Sequence, residues 1–338
     1  MNPLRTLGRL LRPARPDHAQ ADPAVAAVPG EQAASHDQDM ERAGAWWGKR
    51  ARLEQQAAPP SSWAECPIVI AEYINPQVSG NGRQGWLEAV ARDYFKEPVE
   101  RALSLGCGGG GLERHALQLH IARHFDARDV SAGAIAVAQE EAQKSGQSQQ
   151  VSYAVADLNR QAFEPAAYGA VFASQSVHHI ENLPHYMSQV ASCLQPGGLF
   201  IVNEFVGPNQ FQWTDVQLGH AQRLLQTIPE EYRHCIREEG IKQEVLRPTL
   251  QQMNDYDPTE AIKSEHIVDE MEKCFDIIER RDFGGTLLHL VLDNIAGNLG
   301  RDKAGKAILR RLMAEEKALI ASAELNSDFT LLIARKSA

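Results

Sequence analysis

A glycine-rich loop separates an apolar strand from a helix in ALSLGCGGGGLERHALQLH, which begins at Ala102. Glycine permits positive φ angles and lets a ligand approach the main chain closely. The start of the following helix offers free N–H groups and a positive dipole end. Gly106, Gly108 and Gly111 also satisfy the pattern GxGxxG. The loop therefore predicts a site for an adenosine-type cofactor, without separating a nicotinamide dinucleotide from other such cofactors.

Acidic, hydroxyl and imidazole side chains follow the next strands along the chain. Asp129 stands 23 residues after Gly106 and ends the second predicted strand, where a carboxylate can accept both hydroxyls of a ribose. Asp157 ends the third predicted strand in the same way. The fourth and fifth predicted strands end near Ser174, His178, His179 and Glu204. The last three of these could face a reacting group and act as its base, or could pack beneath the site or cap a helix.

The elements that position these side chains alternate between strand and helix. Apolar strand patterns end at Leu105, Asp129, Asp157, Ser174 and Glu204, and amphipathic helical patterns separate them. Such alternation predicts an α/β fold with a parallel, doubly wound sheet that is covered on both faces. Ligands of these sheets bind at the carboxyl ends of the strands, where the strand order reverses. We therefore expect the candidate residues to meet at one edge of the sheet.

The motifs together, over residues 85–206, resemble the class I S-adenosylmethionine-dependent methyltransferases. The segments that carry the resemblance are LSLGCGGGG, DVS, ADLN, SQSVHHIENL and LQPGG. The resemblance implies a Rossmann-like sheet of seven strands with an antiparallel last strand, plus helical insertions. Residues 275–285 and 328–336 would be strands six and seven, which form an antiparallel hairpin. It implies S-adenosyl-L-methionine as cofactor and the following cofactor-binding residues: Gly106, Cys107, Gly108, Gly110, Asp129, Val130, Asp157, Leu158, Ser174 and Gln175. One departure is Ser104, which stands where the family often has an acidic residue near the methionine amine.

The resemblance also implies an in-line methyl transfer, for which the protein must align the acceptor and exclude water. His178, His179 and Glu204 are the candidate catalytic residues. A small molecule or a saccharide, methylated on a hydroxyl, is the expected acceptor, because EFVGPNQFQWTD and DPTEAIKS loosely resemble bacterial methyltransferases encoded beside polysaccharide genes. Two alternatives stay open, namely an NAD-dependent oxidoreductase and a non-catalytic module that keeps the fold. No metal site is predicted, since His115, His120 and His124 have no ligand partners at useful spacing.

Composition divides the 338 residues into three parts. Residues 1–40 are predicted to be a disordered arm, 41–84 a helical lead-in that Trp46 and Trp47 anchor, and 85–338 the methyltransferase domain. Helical insertions are expected at 209–270 and 286–325, where they could form a lid over the acceptor or simply cover the sheet. Phe211, Trp213 and Tyr232 would suit a sugar or an aromatic acceptor, and packing in the core would explain them nearly as well.

The net charge and the cysteine content limit the classes of binding partner and the cellular compartments that are expected. The net charge of −10 disfavours nucleic acid as a partner. Five scattered cysteines indicate reduced thiols, and with them a cytoplasmic location. No stretch reaches the roughly 20 apolar residues of a membrane span. Leu4, Leu7 and Leu10, with arginines between them, could form a short amphipathic helix on a membrane surface.

Overall fold

The computed structural model describes residues 29–53 and 59–336. The predicted leucine and arginine helix of the first twelve residues lies outside these ranges. The strands are β1 (Val99–Leu105), β2 (Ala122–Asp129), β3 (Val151–Val155), β4 (Tyr168–Ser174), β5 (Leu194–Phe205), β6 (Phe275–Gly284) and β7 (Phe329–Lys336). The helices are α1 (Pro29–Leu53), α2 (Pro67–Val69), α3 (Asn75–Ser79), α4 (Trp86–Tyr94), α5 (Gly111–Gln118), α6 (Ala132–Lys144), α7 (Leu183–Cys193), α8 (Asp215–Gln226), α9 (Leu250–Tyr256), α10 (Ile267–Glu272), α11 (Leu288–Leu292), α12 (Ala296–Leu299) and α13 (Lys303–Ala321).

Within the described residues the strands form one sheet in the order β3-β2-β1-β4-β5-β7-β6. The pairs among β1 to β5 are parallel, whereas β7 runs antiparallel to both of its neighbours. The chain winds outward from β1 to β3 and then returns to place β4 on the other side of β1. The predicted doubly wound sheet with an antiparallel last strand is confirmed, and its crevice opens at the carboxyl ends of β1 and β4.

Alternating side chains explain why the sheet is covered on both faces. On β1, Leu103 and Leu105 enter one apolar cluster, and Ala102 enters the other. On β4, Val171 and Phe172 divide between the clusters in the same way. Successive residues of a strand point to opposite faces, so strands that are apolar at every position need helices on both sides.

Helix α1 begins at Pro29, so the prediction of a disordered arm as far as residue 40 is wrong for residues 29–40. The helix packs against α6, and small residues allow a close approach. A Cβ built on Gly133 would lie only 2.8 Å from the Cα of Gly48. The Ser131 hydroxyl, at the start of α6, donates a hydrogen bond of 2.5 Å to the carbonyl of Gly44. Helix α1 is thereby fixed beside the carboxyl end of β2.

The two helical insertions follow β5 and β6 as expected. The first contains α8, α9 and α10, and the second contains α11, α12 and α13. None of the described helices is both long and apolar enough to cross a membrane. All five cysteines lie in the described ranges and are free thiols.

Candidate active site

The glycine loop turns sharply between β1 and α5. Gly106 has a φ of 71°, and a Cβ at this position would overlap the side chain of Ser176. Gly110 has a φ of 73° and caps the start of α5. The N–H groups of Gly106 and Cys107 both donate to the carbonyl of Arg128, at 2.8 and 3.0 Å. The loop is therefore a rigid turn that is tied to β2 and that only glycine fits at its first position.

Asp129 joins the end of β2 to this loop. Its carboxylate accepts a hydrogen bond from the N–H of Gly108 on one oxygen and from the N–H of Ser131 on the other, both at 2.8 Å. The residue is 7% exposed, and burial raises the pKa of Asp129 above its ordinary value although the two N–H donors oppose the shift. Each oxygen retains a further lone pair, so the carboxylate can still accept hydroxyl donors.

A small cavity of about 70 Å³ lies at the ends of β2, β3 and β4. Six of the predicted cofactor-binding residues line this cavity, namely Gly106, Asp129, Val130, Asp157, Leu158 and Gln175. Helix α1 covers it with Met40, Ala43 and Trp47, and the Trp47 ring packs edge-on against His179 at 5.3 Å between centroids. The structure therefore brings together residues of three strands, and it adds a cover that the sequence did not indicate.

A second cavity of about 770 Å³ extends from the other side of Gly106 and Gln175, which line both cavities. Its floor contains Ser104, Cys107, Ser174 and Asn203 from the ends of β1, β4 and β5. Its walls are largely apolar and include Trp63, Ile70, Ile74, Val78, Trp86, Leu87, Phe283 and Phe329. Most of these wall residues come from the segment 63–88. Neither insertion lines this cavity, so a lid role for the insertions stays a prediction.

Gly108 and Gly110 line neither cavity. The Gly108 N–H is already bonded to Asp129, and Gly110 lies against Tyr153 and Arg114 at the back of the loop. These two glycines shape the turn, whereas Gly106 borders both spaces.

His178 and Glu204 form a fully buried pair, with 2.5 Å between the His178 Nδ1 and a Glu204 carboxylate oxygen. The Glu204 carboxylate also accepts hydrogen bonds from the N–H groups of Ser176, Val177 and Phe205. Burial disfavours the imidazolium, but the carboxylates of Glu204 and Glu260 outweigh it and raise the pKa of His178 to about 10.

The three candidate catalytic residues therefore do not share one surface. His178 and Glu204 are 0% exposed and line neither cavity, because Glu204 is used to hold the turn after β4. This differs from the expectation that both face the methyl group. His179 borders the smaller cavity, and its Nδ1 lies 3.0 Å from the hydroxyl of Thr259. Burial lowers the pKa of His179.

The aromatic residues expected to hold a sugar belong to the core. Phe211 and Trp213 are 1% and 0% exposed, and their rings stack on each other at 5.2 Å with an angle of 7°. Tyr232 is 9% exposed and its hydroxyl donates to Asp302 at 3.0 Å. The expectation that they contact an acceptor in the cavities is wrong, since aromatic residues in an insertion signal burial as readily as binding.

Polar atoms on the cavity floor fit the amino-acid end of S-adenosylmethionine. Gln175, with a φ of 52°, donates its N–H and its side-chain amide to the carbonyl of Asn203 at 2.8 and 3.2 Å. Among the described residues, none donates a hydrogen bond to the buried side-chain amide oxygens of Gln175 and Asn203. Two hydrogen-bond acceptors beside the glycine loop suit an ammonium group. They lie at the same edge of the sheet as Ser104, which stands where the similar methyltransferases often have an acidic residue near the methionine amine.

The central segment of the chain is similar to a known family. Residues 103–202 match the family described as "Methyltransferase domain". This segment of the chain is therefore similar to a methyltransferase domain. It is of the S-adenosylmethionine-dependent class, and S-adenosylmethionine is its cofactor, as predicted. This decides between the two enzyme classes that the glycine loop alone left open.

The relatives and the solved structures extend the similarity along the chain. A sterol 24-C-methyltransferase of Clavispora lusitaniae is 26% identical over 255 residues, covering 70% of this chain and 66% of the relative. One from Candida albicans is 28% identical over 42% of this chain and 38% of the relative. The chain thus spans less than two thirds of the length of either relative. A geranyl diphosphate C-methyltransferase structure from Streptomyces coelicolor A3(2) covers 88% of this chain and 98% of its own, with a TM-score of 0.51 and 12% identity, and shares the fold.

Proposed function

We propose that the chain transfers the methyl group of S-adenosylmethionine to a small, largely apolar molecule bound in the larger cavity. The observation that carries this proposal is the cavity itself. It begins at Gly106 and Gln175 on the cofactor side, and its walls include tryptophan, isoleucine, leucine and phenylalanine side chains. Ligand pockets of about 300 to 1,000 Å³ with apolar walls and a few polar groups bind small molecules of drug-like size.

The residues that would hold the cofactor lie at the strand ends that border the two cavities. Asp129 and Asp157 would accept hydrogen bonds from the adenosine part, and the amide oxygens of Gln175 and Asn203 would accept them from the ammonium group. When bound, S-adenosylmethionine supplies a methyl group on an activated sulfonium, ready for in-line displacement. The chain then has to position the acceptor and exclude water, which α1 and the 63–88 segment would do by covering the strand ends.

The acceptor atom is proposed to be carbon. The cavity floor at the ends of β1, β4 and β5 contains Ser104, Cys107, Ser174, Gln175 and Asn203. All of these side chains are neutral, because burial raises the pKa of the Cys107 thiol. A neutral floor suits an electron-rich carbon–carbon double bond, which attacks the methyl group before any proton is lost and forms a cation. That cation gives up a proton afterwards, to solvent or to a carboxylate of the cavity wall, whereas a hydroxyl needs a base during the attack. The names of the sterol relatives and of the geranyl diphosphate enzyme, all C-methyltransferases, support the same choice.

A hydroxyl acceptor, including a saccharide, is the second candidate. It is favoured by one feature of the cavity wall, where the His115 imidazole lies 3.4 Å from the carboxylate of Glu88. A histidine oriented by a carboxylate is the usual arrangement of a general base. On this alternative His115, rather than the buried His178, would take the proton.

The test is transfer of a trideuterated methyl group to an acceptor panel. Isoprenoids and sterols stand for the apolar carbon acceptors, and simple glycosides stand for the hydroxyl acceptors. Fragmentation in the mass spectrometer locates the label on carbon or on oxygen. We expect label on carbon of an apolar compound, with His115→Ala retaining activity. Label confined to glycoside oxygens, lost in His115→Ala, would overturn the carbon proposal.

A cavity-filling variant separates acceptor binding from cofactor binding. Ala64 lines the larger cavity and not the smaller one. Ala64→Phe should lower turnover at least tenfold while leaving the affinity for S-adenosylhomocysteine within about twofold. Ala162→Phe, at an exposed loop position, is the matched control and should change neither quantity. Unchanged turnover in Ala64→Phe would place the acceptor elsewhere.

A further inference from the structure

A cluster of buried imidazole and carboxylate groups lies behind the smaller cavity. One nitrogen of His178, one nitrogen of His179 and one carboxylate oxygen of Glu260 all lie within 4.8 Å of one another. His178 is 0% exposed and Glu260 is 1% exposed. The cluster joins the turn after β4 to the connection between α9 and α10.

The hydrogen bond of His178 defines which of its nitrogens faces the cluster. Its Nδ1 is paired with Glu204 at 2.5 Å, so this nitrogen carries the proton. Its Nε2 lies 3.4 Å from a Glu260 oxygen without hydrogen-bond geometry. Once a metal ion displaces the second proton of the imidazolium, Nε2 presents a lone pair to the cluster.

The same reasoning applies to His179 through a relay. The Thr259 hydroxyl donates to the Asp257 carboxylate at 2.7 Å, so its oxygen has to accept from the His179 Nδ1, 3.0 Å away. His179 Nε2 is then a second lone-pair nitrogen. It is buried, and none of the described residues supplies it with a hydrogen bond.

Glu260 brings a carboxylate to the same place with no hydrogen-bond donor for either oxygen among the described residues. Two lone-pair nitrogens and an anion facing one another in the interior are unfavourable unless a cation joins them. The cation is either a proton on His178 or a metal ion.

We propose that His178, His179 and Glu260 bind a divalent transition-metal ion of the zinc class. Two imidazoles and one carboxylate are a donor set typical of zinc and of ferrous iron. Around a tetrahedral ion with bonds of about 2.1 Å, ligand atoms lie about 3.4 Å apart. The three ligand atoms lie within 4.8 Å of one another, so the widest pair has to approach by up to about 1.4 Å. Glu204 and the Thr259–Asp257 pair would orient the two imidazoles, as carboxylates behind metal-bound histidines commonly do.

The proposed ion would fasten the α9–α10 connection to the turn after β4. The main chain already joins them once, through the N–H of Ile262 and the carbonyl of His178 at 3.0 Å. Because Thr259 and His179 also line the smaller cavity, the ion would stabilise the wall of that cavity. The role of the ion is structural and independent of the acceptor. The metal proposal can therefore be tested separately from the proposed function.

The test is metal content and metal affinity of the full chain. The protein is stripped with a chelator and titrated with Zn²⁺ in competition with a chromogenic chelator, and Co²⁺ is added separately to read visible ligand-field bands. We expect about one tightly bound zinc per chain, a higher melting temperature with zinc, and cobalt bands that require the histidines. S-adenosylhomocysteine is left out, so a failed methyltransferase assay does not affect the result.

Glu260→Gln is the decisive variant, since it removes the anionic ligand and keeps the shape. We expect its zinc affinity to fall at least tenfold. Glu324→Gln is the matched control, because Glu324 pairs with His220 at 2.8 Å on the surface, and it should bind zinc like the wild type. Less than about 0.1 zinc per chain, or equal zinc affinity in both variants, would overturn the proposal. So would a His178 imidazolium that persists by nuclear magnetic resonance when zinc is in excess.

Discussion

Glu204→Gln tests whether this carboxylate holds the turn after β4 rather than serving as a base in the cavity. The wild-type carboxylate accepts four hydrogen bonds. Ser176 and Val177 donate to one oxygen at 2.9 and 2.7 Å, and His178 and Phe205 donate to the other at 2.5 and 2.7 Å. A glutamine offers one oxygen and one NH₂ group, so two donors would face another donor.

The magnitude follows from those two lost contacts. A hydrogen bond to a charged group contributes about 1.5 to 3 kcal/mol, and breaking one side of a buried pair costs about 3 to 5 kcal/mol. We therefore expect Glu204→Gln to lower the free energy of unfolding by at least about 3 kcal/mol. The affinity for S-adenosylhomocysteine should also fall, because the held turn carries Gln175 and Ser176 on the cavity wall.

Urea unfolding at pH 7, followed by circular dichroism, measures the first effect, and calorimetry measures the second. Glu324→Gln again serves as the control, since removing an exposed partner of an ion pair costs less than about 1 kcal/mol. A Glu204→Gln protein that is as stable as wild type but does not turn over would refute this reasoning and return Glu204 to the role of catalytic base.

Three further outcomes follow from the structure. Gly106→Ala should weaken S-adenosylhomocysteine binding at least tenfold by calorimetry, because its Cβ would meet Ser176. Gly146→Ala is the control, since Gly146 has a similar φ of 72° but open space around it. It should lower the stability of the protein and leave S-adenosylhomocysteine binding unchanged. Glu113 is fully buried, and burial raises its pKa from an ordinary 4.5 to about 7. Its favourable contribution to the free energy of unfolding is therefore present below pH 4.5 and is lost as the pH rises through 7. Glu113→Gln should therefore be more stable than wild type by about 3 kcal/mol at pH 8 and equal to it near pH 4 in urea titrations, while parallel pH profiles would argue against this. Trp47→Ala should open the smaller cavity and weaken S-adenosylhomocysteine binding about tenfold, and unchanged binding would remove α1 from the site.

The strands and the cofactor loop could be predicted because their signals are local. A glycine run between an apolar strand and a helix permits few structures, and β1, β4, β6 and β7 lie where the apolar segments indicated. Asp129 could be found from its distance to Gly106 and its place at a strand end. Each of these inferences needs only one stretch of chain and the rules for parallel sheets.

The position of helix α1 over the smaller cavity and the walls of the larger cavity could not be predicted, because they depend on contacts between distant segments of the chain. Nothing local in the sequence of α1 shows that Trp47 lies against His179. Glu260 is one acid in a polar connection, and only the fold brings it to His178. The sequence left Trp213 open between a sugar site and the core, because an aromatic residue has the same pattern in both.

Calorimetry with S-adenosylhomocysteine, beside NAD on the same preparation, tests the central claim most directly. The account predicts one binding site for S-adenosylhomocysteine, no comparable affinity for NAD, and a loss of about 1 to 2 kcal/mol in Asp129→Ala if two hydroxyl contacts disappear. Absence of S-adenosylhomocysteine binding, or tighter binding of NAD, would contradict it.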